Sequence, residues 1–141
     1  MALLIELKAD EQILIGSALV RNAGGSRTKL AIKTSTEVPI LRSKQILTEA
    51  TANTPAKRVY FAVQLMLLAA DLAPYQDRFL ELCRDLVAAA PSTTPYLEAI
   101  ARHLLAGAYY KALKEASALV AYEAELLGHA MGEASDRSHK P

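Results

Sequence analysis

Six cations sit close together in the first third of the chain: Arg21, Arg27, Lys29, Lys33, Arg42 and Lys44. Carried on short strands and their turns, such groups can neutralise phosphate, and arginine can also hydrogen-bond to or stack on an unpaired base. The same six residues would equally make an ordinary solvated sheet face. A second cluster is aromatic: Tyr60, Phe61, Tyr75, Phe79, Tyr96, Tyr109, Tyr110 and Tyr122. Core packing and helix-end anchoring account for most of it. The remainder, with Tyr60, Phe61, Tyr109 and Tyr110 as candidates, could form a helical docking groove for a partner.

Catalytic chemistry would need a nucleophile with its base, paired carboxylates, a phosphate loop or a metal cluster, and the sequence spells none of these. His103, His129 and His139 share no metal-ligand spacing with the single cysteine, Cys83, so neither metal nor cofactor is expected. Cys83 lies beside the apolar stripe of a helix, which suits packing better than reactivity. Gly24-Gly25 reads as a turn, since no Gly-Lys-Ser/Thr follows. The expectation is a protein that is not an enzyme.

These residues are unevenly distributed. Up to Arg58 nine bases face five acids, a surplus of +4, while the rest of the chain carries −3. The first part therefore suits an anionic partner, and the second does not. The chain has 141 residues with 52% hydrophobic and 22% charged, a globular composition. Its longest apolar run, Val59 to Ala70 broken by Gln64, is shorter than the roughly 18–20 residues of a membrane span. Acidic and basic residues from Glu6 onward interrupt any export signal, so a cytoplasmic location is expected.

The periodicity predicts an α+β fold. Short Ile-, Leu- and Val-rich groups give strands at 3–8, 12–15, 18–22, 28–33 and 38–41, with Gly24-Gly25 supplying the positive φ of a hairpin and Pro39 marking an edge or bulge. After Gln45, the pairs Thr54-Pro55, Ala73-Pro74 and Thr94-Pro95 each place proline where a helix can start, two of them behind a threonine able to cap. The first helix is apolar nearly all round. The second turns Tyr75, Phe79, Leu82, Leu86 and Val87 inward, and the third uses Leu97, Ile100 and Leu104. The fourth runs from Tyr109 to Leu127, with Tyr109, Leu113, Ala116, Val120 and Leu127 on its apolar face, and is expected to stop at Gly128. The organisation so read is a β module at 1–50, a module of about four helices at 51–128 and a disordered tail at 129–141. A sheet of about 45 residues barely buries its own core and leaves edges open, so a homodimer is expected.

The run Thr48-Glu49-Ala50-Thr51-Ala52-Asn53-Thr54-Pro55-Ala56-Lys57-Arg58-Val59-Tyr60-Phe61 resembles the signature of the FlbT family of flagellar regulators. Tyr109-Tyr110-Lys111-Ala112-Leu113 and Tyr122-Glu123-Ala124-Glu125-Leu126-Leu127 match that family's C-terminal pattern, and Met1 to Lys8 agrees with its opening. The resemblance implies a regulator that acts on the 5′ leader of flagellin mRNA, repressing its translation or promoting its decay, alongside the small partner FlaF. The alternative it leaves is an adaptor whose helices hold FlaF or flagellin. The strands are also similar to the carbon-storage regulator (CsrA) family, through Glu11-Gln12-Ile13-Leu14-Ile15-Gly16 and Glu37-Val38-Pro39-Ile40-Leu41-Arg42-Ser43-Lys44-Gln45-Ile46. That likeness implies that Arg42 contacts RNA, with the first strand around Leu4 and Ile5 beside it. The RNA-contact candidates are therefore Arg42, Lys44, Arg27, Lys29, Arg21 and Ile5.

Overall fold

The computed structural model describes residues 2–16, 18–33 and 40–139, and the expectation for Pro39 lies outside them. The chain divides into two compact units, residues 1–46 and 47–141.

Among the described residues the first unit holds five strands: β1 (Ala2–Leu7), β2 (Gln12–Ile15), β3 (Ala18–Arg21), β4 (Thr28–Lys33) and β5 (Ile40–Arg42). β1 and β4 pair antiparallel, with Ile5 opposite Leu30 and Leu3 opposite Ile32. β2 lies between β3 and β5, with Ile13 opposite both Val20 and Arg42. Side chains alternate between the faces of a strand, so β1 buries Ile5 and Leu7 while β2 buries Ile13. Ile15, Val20, Leu30, Ile32 and Ile40 pack against that cluster.

One turn differs from expectation. β3 and β4 belong to different sheets, so Asn22 to Arg27 forms a loop between sheets and no hairpin. Neither Gly24 nor Gly25 has a positive φ; in this unit Asp10 (66°) and Gly16 (59°) do. The loop is fixed by Asn22, whose Nδ2 donates to the carbonyls of Leu7, Lys8 and Ser26 while its Oδ1 accepts from the Gly24 amide.

The second unit holds α1 (Pro55–Ala69), α2 (Gln76–Ala89), α3 (Thr94–Leu105) and α4 (Tyr109–His139). Thr54 caps α1 by accepting from the Lys57 amide at 3.2 Å, and Pro55 takes the first turn, where its missing N–H costs nothing. Glu123 of α4 supplies a second cap, its buried carboxylate accepting from the Ala56 amide at 2.8 Å. Thr94 does not cap α3. Short 3-10 turns, Ala73–Tyr75 and Pro91–Thr93, lead into α2 and α3, and the Thr94 hydroxyl donates back to the Pro91 carbonyl.

The core of this unit comes from Val59, Val63 and Met66 of α1, Phe79, Leu82 and Leu86 of α2, Leu97, Ile100 and Leu104 of α3, and Ala112, Leu113, Ala116 and Leu119 of α4. Two expectations for α4 are corrected. Leu127 is half exposed, and the helical backbone continues past Gly128 to His139 where a stop and a tail were expected. One glycine costs a helix only about 1 kcal/mol, and Glu125-Leu126-Leu127 before it and Ala130-Met131 after it favour helix. Among the described residues no helix is long and apolar enough to cross a membrane.

Candidate nucleic-acid interface

Strand pairing in the first unit draws residues from four places in the chain around one open cavity of about 330 Å³, lined by Glu6, Lys8, Glu11, Arg27, Arg42 and Lys44. Glu6 comes from the end of β1 and Lys8 from the residue just after it, Glu11 from the turn before β2, Arg27 from the approach to β4, and Arg42 and Lys44 from β5 and the turn after it. Four cations against two carboxylates leave a local surplus of two positive charges.

Arg42 is held at its base and at its tip. Its amide donates to Gln45 Oε1 at 3.0 Å, and its Nη1 donates to the Glu6 carbonyl at 3.3 Å. The same Nη1 lies 3.7 Å from Glu11 Oε1. Glu11 is itself fixed, since that oxygen accepts from the Lys8 amide at 3.1 Å. Arg27 lies 3.4 Å from Glu6 Oε1. Both ion pairs are partly solvated, and pairs of that kind contribute at most about 1 kcal/mol. An incoming phosphate can therefore exchange with either carboxylate at small cost, and a guanidinium so released can bind it bidentately.

The structure thus brings together Arg27, Arg42 and Lys44 of the six RNA-contact candidates. Lys29 is exposed on β4 opposite Glu6 but does not line the cavity, and Arg21 is engaged with Asp10 at 2.7 Å. Ile5 is corrected: it is buried in the β core and cannot present its side chain to RNA. Lys8, Glu6 and Glu11 were missed by sequence reasoning, because only strand register shows that the end of β1 and the turn before β2 reach Arg42. The one signal in the sequence was that Lys8 ends the first expected strand and Glu11 directly precedes the second.

The four aromatic candidates do not form one surface. Tyr60 is buried, and burial, with Tyr110 as a smaller cause, pushes its phenol up to about 12. It belongs to the core, which corrects its assignment to a partner. Tyr110 is exposed beside Lys114, whose Nζ lies 5.3 Å from the ring centre, and Tyr109 is half-buried at the start of α4. Phe61 lines a different feature, a groove of about 430 Å³ formed by α1, α2 and the segments that precede them.

Burial pushes the Cys83 thiol up to about 11. At pH 8 only about one molecule in a thousand would carry the thiolate. Labelling of the native protein by a thiol reagent is therefore expected to be far slower than labelling in denaturant. Equal rates in both would show that the cysteine is not shielded. Among the described residues no group of three or more His, Cys, Asp or Glu could hold a metal ion.

The chain is thus a two-unit α+β protein with a cation-rimmed cavity on its first unit and an apolar groove on its second. The family model described as flagellar protein FlbT matches residues 3–127, and the chain belongs to the FlbT family. It is 47% identical over 128 residues, covering 91% of this chain and 86% of the relative, to a probable flagellum biosynthesis repressor protein FlbT 1 of Bradyrhizobium diazoefficiens. It is 44% identical over 127 residues, covering 90% of this chain and 98% of the relative, to a probable flagellum biosynthesis repressor protein FlbT of Rhodopseudomonas palustris. With a flagellum biosynthesis repressor protein FlbT of Caulobacter vibrioides it shares 32% identity over 137 residues, 92% of each chain. No solved structure matches it.

Proposed function

We propose that this chain represses flagellum biosynthesis in the cytoplasm by binding the single-stranded 5′ leader of flagellin mRNA through the cavity of its first unit, acting as a binding protein and not as an enzyme. The relatives named as flagellum biosynthesis repressors support the process. The observation that carries the RNA reading is the convergence of Lys8, Arg27, Arg42 and Lys44 on one solvent-open cavity with a positive surplus. Arg42 reads an unstacked base or grips a phosphate, while Lys8 and Lys44 contribute mainly charge.

The test is a salt-dependent gel shift of purified protein with leader RNA and a scrambled control. Arg42→Ala is expected to lower leader affinity about tenfold and to blunt preference over the control. Lys44→Ala should weaken both RNAs alike and flatten the salt slope, and Lys29→Ala, outside the cavity, should do much less. A folded Arg42→Ala protein with unchanged affinity and selectivity would remove the cavity from consideration as the RNA site.

The same unit fits a second copy of the chain. Leu4 and Leu19 are 72% and 59% exposed, and among the described residues the outer edges of both sheets carry no partner strand. Open edges beside exposed leucines favour strand pairing between copies. Light scattering at tens of micromolar should give the mass of a dimer, and a monomeric mass there would overturn the assignment.

A further inference from the structure

The groove on the helical unit is a built surface whose charge is opposite to that of the unit carrying it. Its apolar lining is Ala52, Phe61, Ala62, Leu65 and Leu82, with Tyr75 beside them, and its rim holds Arg58, Arg78 and Glu49. Residues 47–141 carry nine bases and eleven acids, so the unit as a whole is acidic. At the groove two guanidinium groups face one carboxylate. Arg58 forms no ion pair among the described residues, and Arg78 is engaged only with exposed Glu81, at 3.3 Å. Neither arginine is occupied in holding the fold together. Phe61 and Leu65 are only half-buried, so they keep apolar surface to offer.

We propose that this groove docks an acidic amphipathic helix of a partner protein, with the partner's apolar side chains on Phe61, Leu65 and Leu82 and its carboxylates on Arg58 and Arg78. Three features of the groove select that occupant. Along α1, Phe61 and Ala62 follow Arg58 by three and four residues and Leu65 follows Ala62 by three, and along α2 Leu82 follows Arg78 by four. Each helix therefore presents a cation followed on the same face by apolar surface. The α1 stretch spans about 10 Å, roughly two turns of a helix laid against it. Arginine and aromatic side chains around an apolar floor are also the composition of energetic centres in protein interfaces. A polyanion such as RNA would gain from the two arginines but would meet Glu49 and the acidic remainder of the unit. A peptide helix instead uses the apolar floor as well as the charge.

The inference goes beyond the RNA reading and can fail separately from it. Randomised peptides of about 16 residues would be selected by display on the immobilised full chain. The best would then be measured by fluorescence anisotropy against the parent protein and against Arg58→Glu combined with Arg78→Glu. Both arginines lie at the surface, so the doubly reversed protein should keep its circular dichroism and its leader RNA affinity. The expected result is enrichment of sequences with Glu or Asp flanking apolar pairs at i and i+4, with affinity at least about tenfold weaker for the reversed protein. Three outcomes would overturn the proposal: enriched sequences that are neutral or basic, no enrichment above a blank support, or affinity unmoved by the reversal. Loss of leader RNA binding by the reversed protein would show the groove to be an RNA surface and would overturn it as well.

Discussion

Glu123→Ala is expected to lower the stability of the helical unit by about 3 kcal/mol, a large effect for a single polar side chain. The Glu123 carboxylate is buried and accepts from the Ala56 amide at 2.8 Å. Ala56 is fully buried in the first turn of α1, where helix geometry leaves amides without an intrahelical acceptor. Removing the carboxylate therefore loses a charge-assisted hydrogen bond, strands a buried N–H away from water and takes a negative charge from the positive end of α1. Glu123→Gln keeps an acceptor of similar shape and should cost less, about 1 kcal/mol. Urea unfolding followed by helical circular dichroism measures both through the shift in midpoint at constant slope. A midpoint for Glu123→Ala within about 0.5 kcal/mol of the parent would mean that the carboxylate does not hold α1.

Gln64→Leu should destabilise the same unit by about 2 kcal/mol despite being an apolar substitution of similar size in a buried site. Gln64 faces the backbone of Leu47, its Oε1 accepting from the amide at 2.9 Å and its Nε2 donating to the carbonyl at 2.8 Å. Leucine would leave both backbone groups unpaired in a partly buried place. Gln64→Glu gives a sharper test because it adds a pH signature. A carboxylate there accepts from the Leu47 amide but opposes the Leu47 carbonyl, and burial also disfavours its charge, so its folded pKa should rise above the usual carboxylate value. Folding then binds a proton more tightly than the unfolded chain does. The stability of Gln64→Glu is fully present below the unfolded pKa and is lost as pH rises through the raised folded value. Melting midpoints should therefore fall from about pH 4 to pH 7 relative to the parent. A parallel pH profile for variant and parent would rule out the paired amide contact.

The elements themselves were legible, because they depend on local period and local stops. Alternating Ile13 and Ile15, the capped proline at Thr54-Pro55 and the helical spacing of Phe79, Leu82 and Leu86 each act within a few residues and need no partner to be read. The observed strands and helices follow them closely. Reading failed where a local cue met a competing local force, as at Gly128, whose modest helix penalty is outweighed by its neighbours. It failed also at Gly24-Gly25, where the glycine pair lies in a loop pinned by Asn22.

What sequence alone determined was the α+β order, the cationic bias of the first unit and the family, through Asn53-Thr54-Pro55-Ala56-Lys57-Arg58 and the residues around it. What the tertiary structure decided was which charged and polar groups meet. Lys8, Arg27 and Arg42 are far apart in the chain, and only the pairing of β1 with β4 and of β2 with β5 brings them to one cavity. Ile5 and Tyr60 looked available as contact residues until packing buried them. Gln64, an interruption in an apolar run, and Glu123, one acid among several on a helix, take their roles from backbone amides 17 and 67 residues away. Periodicity carries no information about such pairings, because a buried polar group is satisfied by whatever donor or acceptor the completed fold places within about 3 Å.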